Sequence, residues 1–147
     1  MSLKERLLED MKTAMKDKDA IRKNTIQMAR SAVLQIEKDT KTTLDDDGVI
    51  EIIAKEMKKR RDSLPEFEKS GRQDLIDNLK AEIEILLQYL PEQLTEPELE
   101  AIVKQAIQET GAVSAREMGK VMQAVMPKVK GKADGRIVNQ VVKKLLG

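Results

Sequence analysis

The chain has 147 residues, of which 36% are charged and 40% hydrophobic, and its formal net charge is +1. It contains no His, Cys or Trp, and its two aromatic residues are Phe67 and Tyr89. This composition excludes a disulfide, a Cys or His nucleophile with its base, and a zinc site built on Cys or His ligands. Two aromatic side chains are also too few for a base-stacking platform.

The chain shows no targeting or membrane-spanning feature. The N-terminal stretch MSLKERLLEDMK is amphipathic and charged, and no apolar run approaches the roughly 18 residues that suggest a membrane span. Together with the absence of Cys, this predicts a cytoplasmic location and no membrane partner.

Three helices are predicted before residue 72, because apolar residues recur there at a spacing of three to four. Ser2 and Glu5 form a capping box for the first, and Asp19 is the expected N-cap of the second. A polar stretch over 39–47 predicts a loop, in which Asp45 to Asp47 form the start of the next helix. Pro65 is expected to kink or restart that third helix, and Gly71 to end it.

Four more helices are predicted in the remaining sequence. The fourth ends at Pro91, the fifth begins at Thr95 and ends at Gly111, and the last begins at Asp134. Between them, a capping box of Ser114 and Glu117 opens a short helix that Pro127 closes. No strand pattern appears, so the predicted fold is all-α, with an N-terminal helical bundle over residues 1–93 and a smaller C-terminal three-helix domain over residues 94–147.

The charge is distributed unevenly along the chain. Residues 116–147 contain eight cations and two carboxylates, a formal charge of +6, whereas the first 115 residues carry −5. Cations on exposed helical faces are what contacts to a nucleic-acid backbone require. The predicted RNA-binding residues are Arg116, Lys120, Lys128, Lys130, Lys132, Arg136, Asn139 and Lys143. The alternative is a solvated basic face with no ligand.

The segment KVKGKADGR, residues 128–136, allows two interpretations. Glycines and lysines leading into a helix N-terminus are suited to binding a phosphate. Alternatively the segment is a helix–helix turn, with Gly131 at positive φ and Asp134 as the N-cap. It is not a Walker loop, because Ala133 follows Gly131-Lys132 where Ser or Thr is required.

Other polar segments favour structural roles. EMKKRRD, residues 56–62, is interpreted as a solvated helical face, and Gly119 as a site of close helix packing, with a hinge or partner contact as its alternative. No pair of carboxylates has a spacing typical of acid–base or metal chemistry. We therefore assign no catalytic, metal-binding or cofactor-binding residue and expect no cofactor.

Three segments carry a family resemblance: EMKKRRDSLPEFEKSGRQDL, EIEILLQYLPEQLTEPELEAIV and GAVSAREMGKVMQAVMPKVKGKADGRIVNQVVKKLL. They resemble the YqeY family over essentially the whole chain. That family is similar to the C-terminal helical and tail domains of the B subunit of tRNA-dependent aspartyl/glutamyl amidotransferase. The resemblance implies a helical bundle joined to a tail domain, and a tail that contacts tRNA. Gln27 departs from the basic residue expected in the second helix, which argues against an RNA role for that helix.

Three functions follow as hypotheses. The first is a non-catalytic tRNA-binding or tRNA-enzyme accessory module that contacts RNA backbone through its basic C-terminal part. The second is a protein-interaction module that docks on an amidotransferase or an aminoacyl-tRNA synthetase. The third is a carbon–nitrogen ligase with glutamine as amido-nitrogen donor, which the resemblance implies only as a label, because the family's ligase chemistry lies in domains and subunits outside this chain.

Overall fold

The computed structural model describes residues 1–147 and confirms the all-α class. It contains no β-strand. A 3₁₀ turn at Ala115–Glu117 precedes the sixth of seven α-helices. The helices are α1 (Leu3–Lys16), α2 (Ala20–Thr40), α3 (Asp46–Ser70), α4 (Gln73–Leu87), α5 (Glu96–Thr110), α6 (Met118–Val129) and α7 (Gly135–Leu146). None of them combines the length and apolarity that crossing a bilayer requires.

The helices form two compact units, Met1–Leu90 and Pro91–Gly147. The first unit contains α1 to α4 around an aliphatic core in which Leu7, Ile26, Ile53 and Leu86 are almost completely buried. Ser2, Asp19 and Asp45 each accept a hydrogen bond from the backbone N–H three residues ahead, as the sequence predicts. These caps fix where α1, α2 and α3 begin.

The second unit packs α5, α6 and α7 around a core made mostly of valine. Thr95 caps α5, Gly111 ends it at a φ of 70°, and Asp134 caps α7, which confirms the predicted boundaries. The buried residues of this unit are Leu99, Val103, Ala106, Ala112, Val121, Val125, Val129, Val138, Val141 and Val142. Their helical spacing turns one face of each helix inward and leaves the opposite face to solvent.

Both internal prolines lie inside continuous helices, which corrects the predicted boundaries. Pro65 does not restart α3, which runs from Asp46 to Ser70, and Pro127 does not close α6, which continues to Val129. A proline removes one helical hydrogen bond and crowds the preceding turn. The turns on both sides of each proline are held by buried or half-buried apolar residues, so packing outweighs this local penalty.

Two predictions for the start of α6 are wrong. Ser114 makes no side-chain capping bond, and a carboxylate oxygen of Glu117 instead accepts from the Val113 N–H at 2.6 Å. Gly119 is exposed, and a Cβ built on it would meet no atom within 4 Å. Close packing therefore does not explain this glycine.

Candidate nucleic-acid interface

All eight predicted RNA-binding residues are exposed and lie in the second unit. Arg116 lies in the 3₁₀ turn. The others are Lys120 and Lys128 in α6, Lys130 and Lys132 in the following turn, and Arg136, Asn139 and Lys143 in α7. We call this set the basic surface.

The valine core orients the two helices of the basic surface. Val121, Val125 and Val129 are fully buried and recur every four residues, so they fix the inward face of α6. On α7, Val138, Val141 and Val142 do the same. The cations therefore project from the solvent-facing sides of both helices because burial of the valines leaves them no other orientation.

The turn between α6 and α7 has the geometry of a helix–helix turn. Gly131 has a φ of 73°, and its carbonyl oxygen accepts from Gln93 Nε2 at 2.8 Å. The Lys132 carbonyl oxygen accepts from the Leu94 N–H at 2.9 Å. An Asp134 carboxylate oxygen accepts from the Arg136 N–H at 2.9 Å and occupies the start of α7. The Lys132 and Ala133 N–H groups, which are the kind of donor an anion needs, both donate to the Val129 carbonyl oxygen. These two backbone donors are therefore used within the turn, and an anion would depend on its lysine side chains.

Helix α5 has the opposite charge. It contains four glutamates and one lysine, whereas residues 118–147 contain seven cations and one carboxylate. Two ion pairs join the two sets, Lys128 Nζ to Glu109 and Lys144 Nζ to Glu100, each at 3.4 Å. A hydrogen bond from Gln105 and the charge of Lys128 lower the pKa of Glu109. The second unit is therefore electrically polar, and a polyanion is attracted to α6 and α7 and repelled by α5.

The structure corrects the interpretation of residues 56–62 as a solvated face. Arg60 is only 7% exposed, and Glu56 is buried beside it. Arg60 Nη1 donates to Glu56 Oε2 at 3.0 Å, and Arg60 Nε donates to Glu82 Oε2 at 3.2 Å. The burial of Arg60 could have been predicted from its position three residues after the buried Met57, because this spacing places both residues on one face of the helix.

No group of three or more carboxylates is arranged to hold a metal ion. Fold and surface together define a class, a two-unit all-α protein with a basic C-terminal helical surface. Within that class the chain belongs to the YqeY family: a family model described as "Yqey-like protein" matches residues 4–146.

Curated relatives are fungal proteins. The chain is 32% identical over 147 residues to "Altered inheritance of mitochondria protein 41, mitochondrial" of Pyrenophora tritici-repentis, covering 97% of this chain and 80% of that protein. The proteins of the same name from Kluyveromyces lactis and Lachancea thermotolerans are 39% and 38% identical. Those two matches cover 56% and 57% of this chain and 45% and 46% of the yeast proteins. The chain thus spans less than half the length of these two relatives.

These names correct one prediction. The expected cytoplasmic location is wrong, because the three relatives reported above are named as mitochondrial proteins. Helical periodicity and core composition describe a folded domain, and they give no information about its subcellular location. The lack of a recognised targeting pattern was therefore a poor guide to location.

Proposed function

We propose that this protein is a tRNA-binding accessory module whose basic surface contacts the RNA phosphate backbone without catalysing a reaction. The observation that carries this proposal is the exposure of all seven candidate cations and Asn139 on α6, α7 and the segments flanking them. Backbone contacts of this kind supply affinity and little sequence information. Selection among RNAs then depends on shape or on a partner enzyme.

The charge arrangement within the second unit supports this proposal. Because α5 is acidic and the basic surface is not, an RNA backbone has one favourable direction of approach. The ion pairs of Lys128 and Lys144 are exposed and weak, so exchanging their carboxylates for phosphates requires little free energy. The family resemblance, which implies a tail that contacts tRNA, points in the same direction.

The proposal is tested by titrating tRNA into nucleic-acid-free protein at several salt concentrations. Each phosphate contact that is lost should reduce the slope of log K against log salt concentration by roughly 0.7–0.9. The test variant carries four charge reversals to Glu, at Lys128, Lys130, Lys132 and Arg136. We expect its affinity at low salt to fall by at least about 100-fold and its slope to become shallower.

A matched control separates a local surface from general charge. Reversing four exposed lysines of the first unit changes the net charge by the same amount, at Lys12, Lys55, Lys58 and Lys80. We expect this control to retain most of the affinity. Equal losses in both variants, or wild-type binding by the test variant, would contradict the proposed surface. Co-purification with a synthetase or amidotransferase after nuclease treatment, without RNA binding, would favour the docking hypothesis instead.

A further inference from the structure

The outward face of α2 is uncharged in a protein whose other surfaces are rich in charge. Every exposed residue of α2 between Lys23 and Lys38 is polar without charge or apolar. Met28 and Leu34, at 54% and 53% exposure, are the largest apolar side chains near its centre. The outward stripe consists of Asn24, Gln27, Met28, Ser31, Leu34, Gln35 and, at its end, Lys38. We call it the α2 stripe.

The neighbouring helices of the same unit show that this is not the general rule. The exposed positions of α1, α3 and α4 include charged residues on every turn, for example Glu9, Lys55 and Asp77. The charged residues near the α2 stripe are engaged within the unit. Glu56 lies beside Ser31 and pairs with Arg60, which also contacts the Met28 sulfur at 3.6 Å. Arg30 contacts the Met11 sulfur at 3.7 Å, and Glu37 pairs with Lys4 at 2.6 Å. Depletion of charge with exposed Met is typical of the core of a protein interface.

The stripe is also symmetric about its central residue. On a helix of 3.6 residues per turn, a twofold axis through Ser31 relates positions whose numbers sum to 62. Across this axis, residues of similar chemistry from the two copies face each other: Gln27 of one copy faces Gln35 of the other, and Met28 faces Leu34. Gln35 Nε2 donates to Asp39 Oδ1 at 2.9 Å within α2, so its amide oxygen is the group that can accept from the Gln27 amide of the second copy. Ser31 at the centre is small, which permits close approach of the two helices.

From this arrangement we propose that the α2 stripe binds a second copy of this chain, with the two α2 helices antiparallel across a twofold axis at Ser31. A self-complementary patch is what an isologous dimer requires. Charge does not oppose it, because Lys38 faces Asn24, and the two Lys38 residues lie about 21 Å apart, beyond the screening length of about 8 Å at physiological salt. This proposal does not rest on RNA binding.

The size of the stripe predicts a weak dimer. It is about 21 Å long and one helix wide, so it buries on the order of a few hundred Å² per copy. A standard stable interface buries about 800 Å² per partner. We therefore expect a monomer–dimer equilibrium in the micromolar to millimolar range.

Sedimentation across about 10 µM to 1 mM tests the proposal on the full chain. The variant Ser31→Glu places two carboxylates against each other at the axis, and we expect the dissociation constant to rise more than about tenfold. Asn78→Glu on exposed α4 makes the same charge change away from the stripe and should leave the equilibrium unchanged. A wild-type chain that stays monomeric at 1 mM, or a dimer insensitive to Ser31→Glu, would overturn the proposal.

Cross-linking tests the orientation, because the natural chain has no cysteine. Single Gln27→Cys and Gln35→Cys variants are mixed in equal amounts and mildly oxidised. The antiparallel arrangement predicts that the disulfide between the two different variants predominates, whereas a parallel pair would give dimers of each variant with itself. Random pairing, at the rate of an Asn78→Cys control, would show that the stripe does not bring two copies together. Circular dichroism of each variant checks that it is folded.

Discussion

The two units differ in where they place charged side chains: the first unit buries some of them, and the second keeps them all at the surface. In Met1–Leu90 the buried residues include Thr25, Glu56 and Arg60, and the phenol of Tyr89 is buried against Asp10. In Pro91–Gly147 every buried side chain is aliphatic, and all cations are at the surface. The first unit thus uses ionic groups to hold its own helices together. The second holds its cations at the surface, where ion pairs such as Lys128–Glu109 and Lys144–Glu100 are solvent-exposed, so their replacement should affect binding more than stability.

The largest predicted effect is the loss of the Arg60 cluster. Arg60→Met leaves the buried Glu56 with only the largely exposed Lys59, at 3.7 Å, as an ionic partner, and breaking the buried pair in this way lowers the free energy of unfolding by up to about 3–5 kcal/mol. Urea denaturation followed by tyrosine fluorescence measures it. The signal reports the first unit alone, because the chain has one Tyr and no Trp.

The double variant Arg60→Met with Glu56→Met separates charge from packing. Two apolar residues of similar volume often replace a buried ion pair with little loss, so we expect the double variant to recover most of the stability. If the single variant Arg60→Met loses less than about 1 kcal/mol, solvent reaches Glu56. The first unit would then owe little of its stability to a buried ion pair, and the two units would differ less in their use of charge.

An intermediate effect is predicted at Tyr89. Its hydroxyl donates to Asp10 Oδ2 at 2.5 Å, and the Arg6 guanidinium lies 4.5 Å from its ring centroid. Tyr89→Phe removes the hydrogen bond to a carboxylate, and we expect a loss of about 1–2 kcal/mol at neutral pH. Urea unfolding followed by circular dichroism measures this difference, and a loss below about 0.5 kcal/mol would contradict it.

The same substitution predicts a pH dependence. Burial, and then the hydrogen bond to Asp10, raise the pKa of Tyr89 above its ordinary value. A phenol with a raised folded pKa contributes stability that is complete below the unfolded pKa of about 10 and is lost as pH rises through the folded value. The stability difference between wild type and Tyr89→Phe should therefore narrow above about pH 10. A constant difference would show that the phenol ionises equally in both states.

Comparing these elements shows what sequence could and could not predict. The caps at Ser2, Asp19 and Asp134 follow from local rules, because both partners of each hydrogen bond lie within three residues. The burial of Arg60 follows only in part, because its partner Glu56 is four residues away but its other partner, Glu82, is 22 residues away. The uncharged part of the α2 stripe, from Asn24 to Gln35, was visible in the sequence, but whether it is exposed depends on which face of α2 is covered by α1, α3 and α4. The cations of the basic surface were predictable as exposed because helical valines define the opposite face.

The smallest predicted effect is at Gly119, in the first turn of α6. Because a Cβ there meets nothing within 4 Å, Gly119→Ala should stabilise the protein by about 0.5 kcal/mol through the reduced freedom of the unfolded chain. Gly48→Ala, in the first turn of α3, should instead destabilise the protein, because its Cβ would lie 3.0 Å from Leu44 Cδ2. Thermal unfolding by circular dichroism compares the two. A destabilised Gly119→Ala would show that the start of α6 needs a backbone that alanine disfavours. If Gly119→Ala is stabilised as expected but binds tRNA less tightly, the exposed backbone beside Lys120 belongs to the RNA-binding surface. Glycine at this position would then lower the stability of the second unit while permitting contact with RNA.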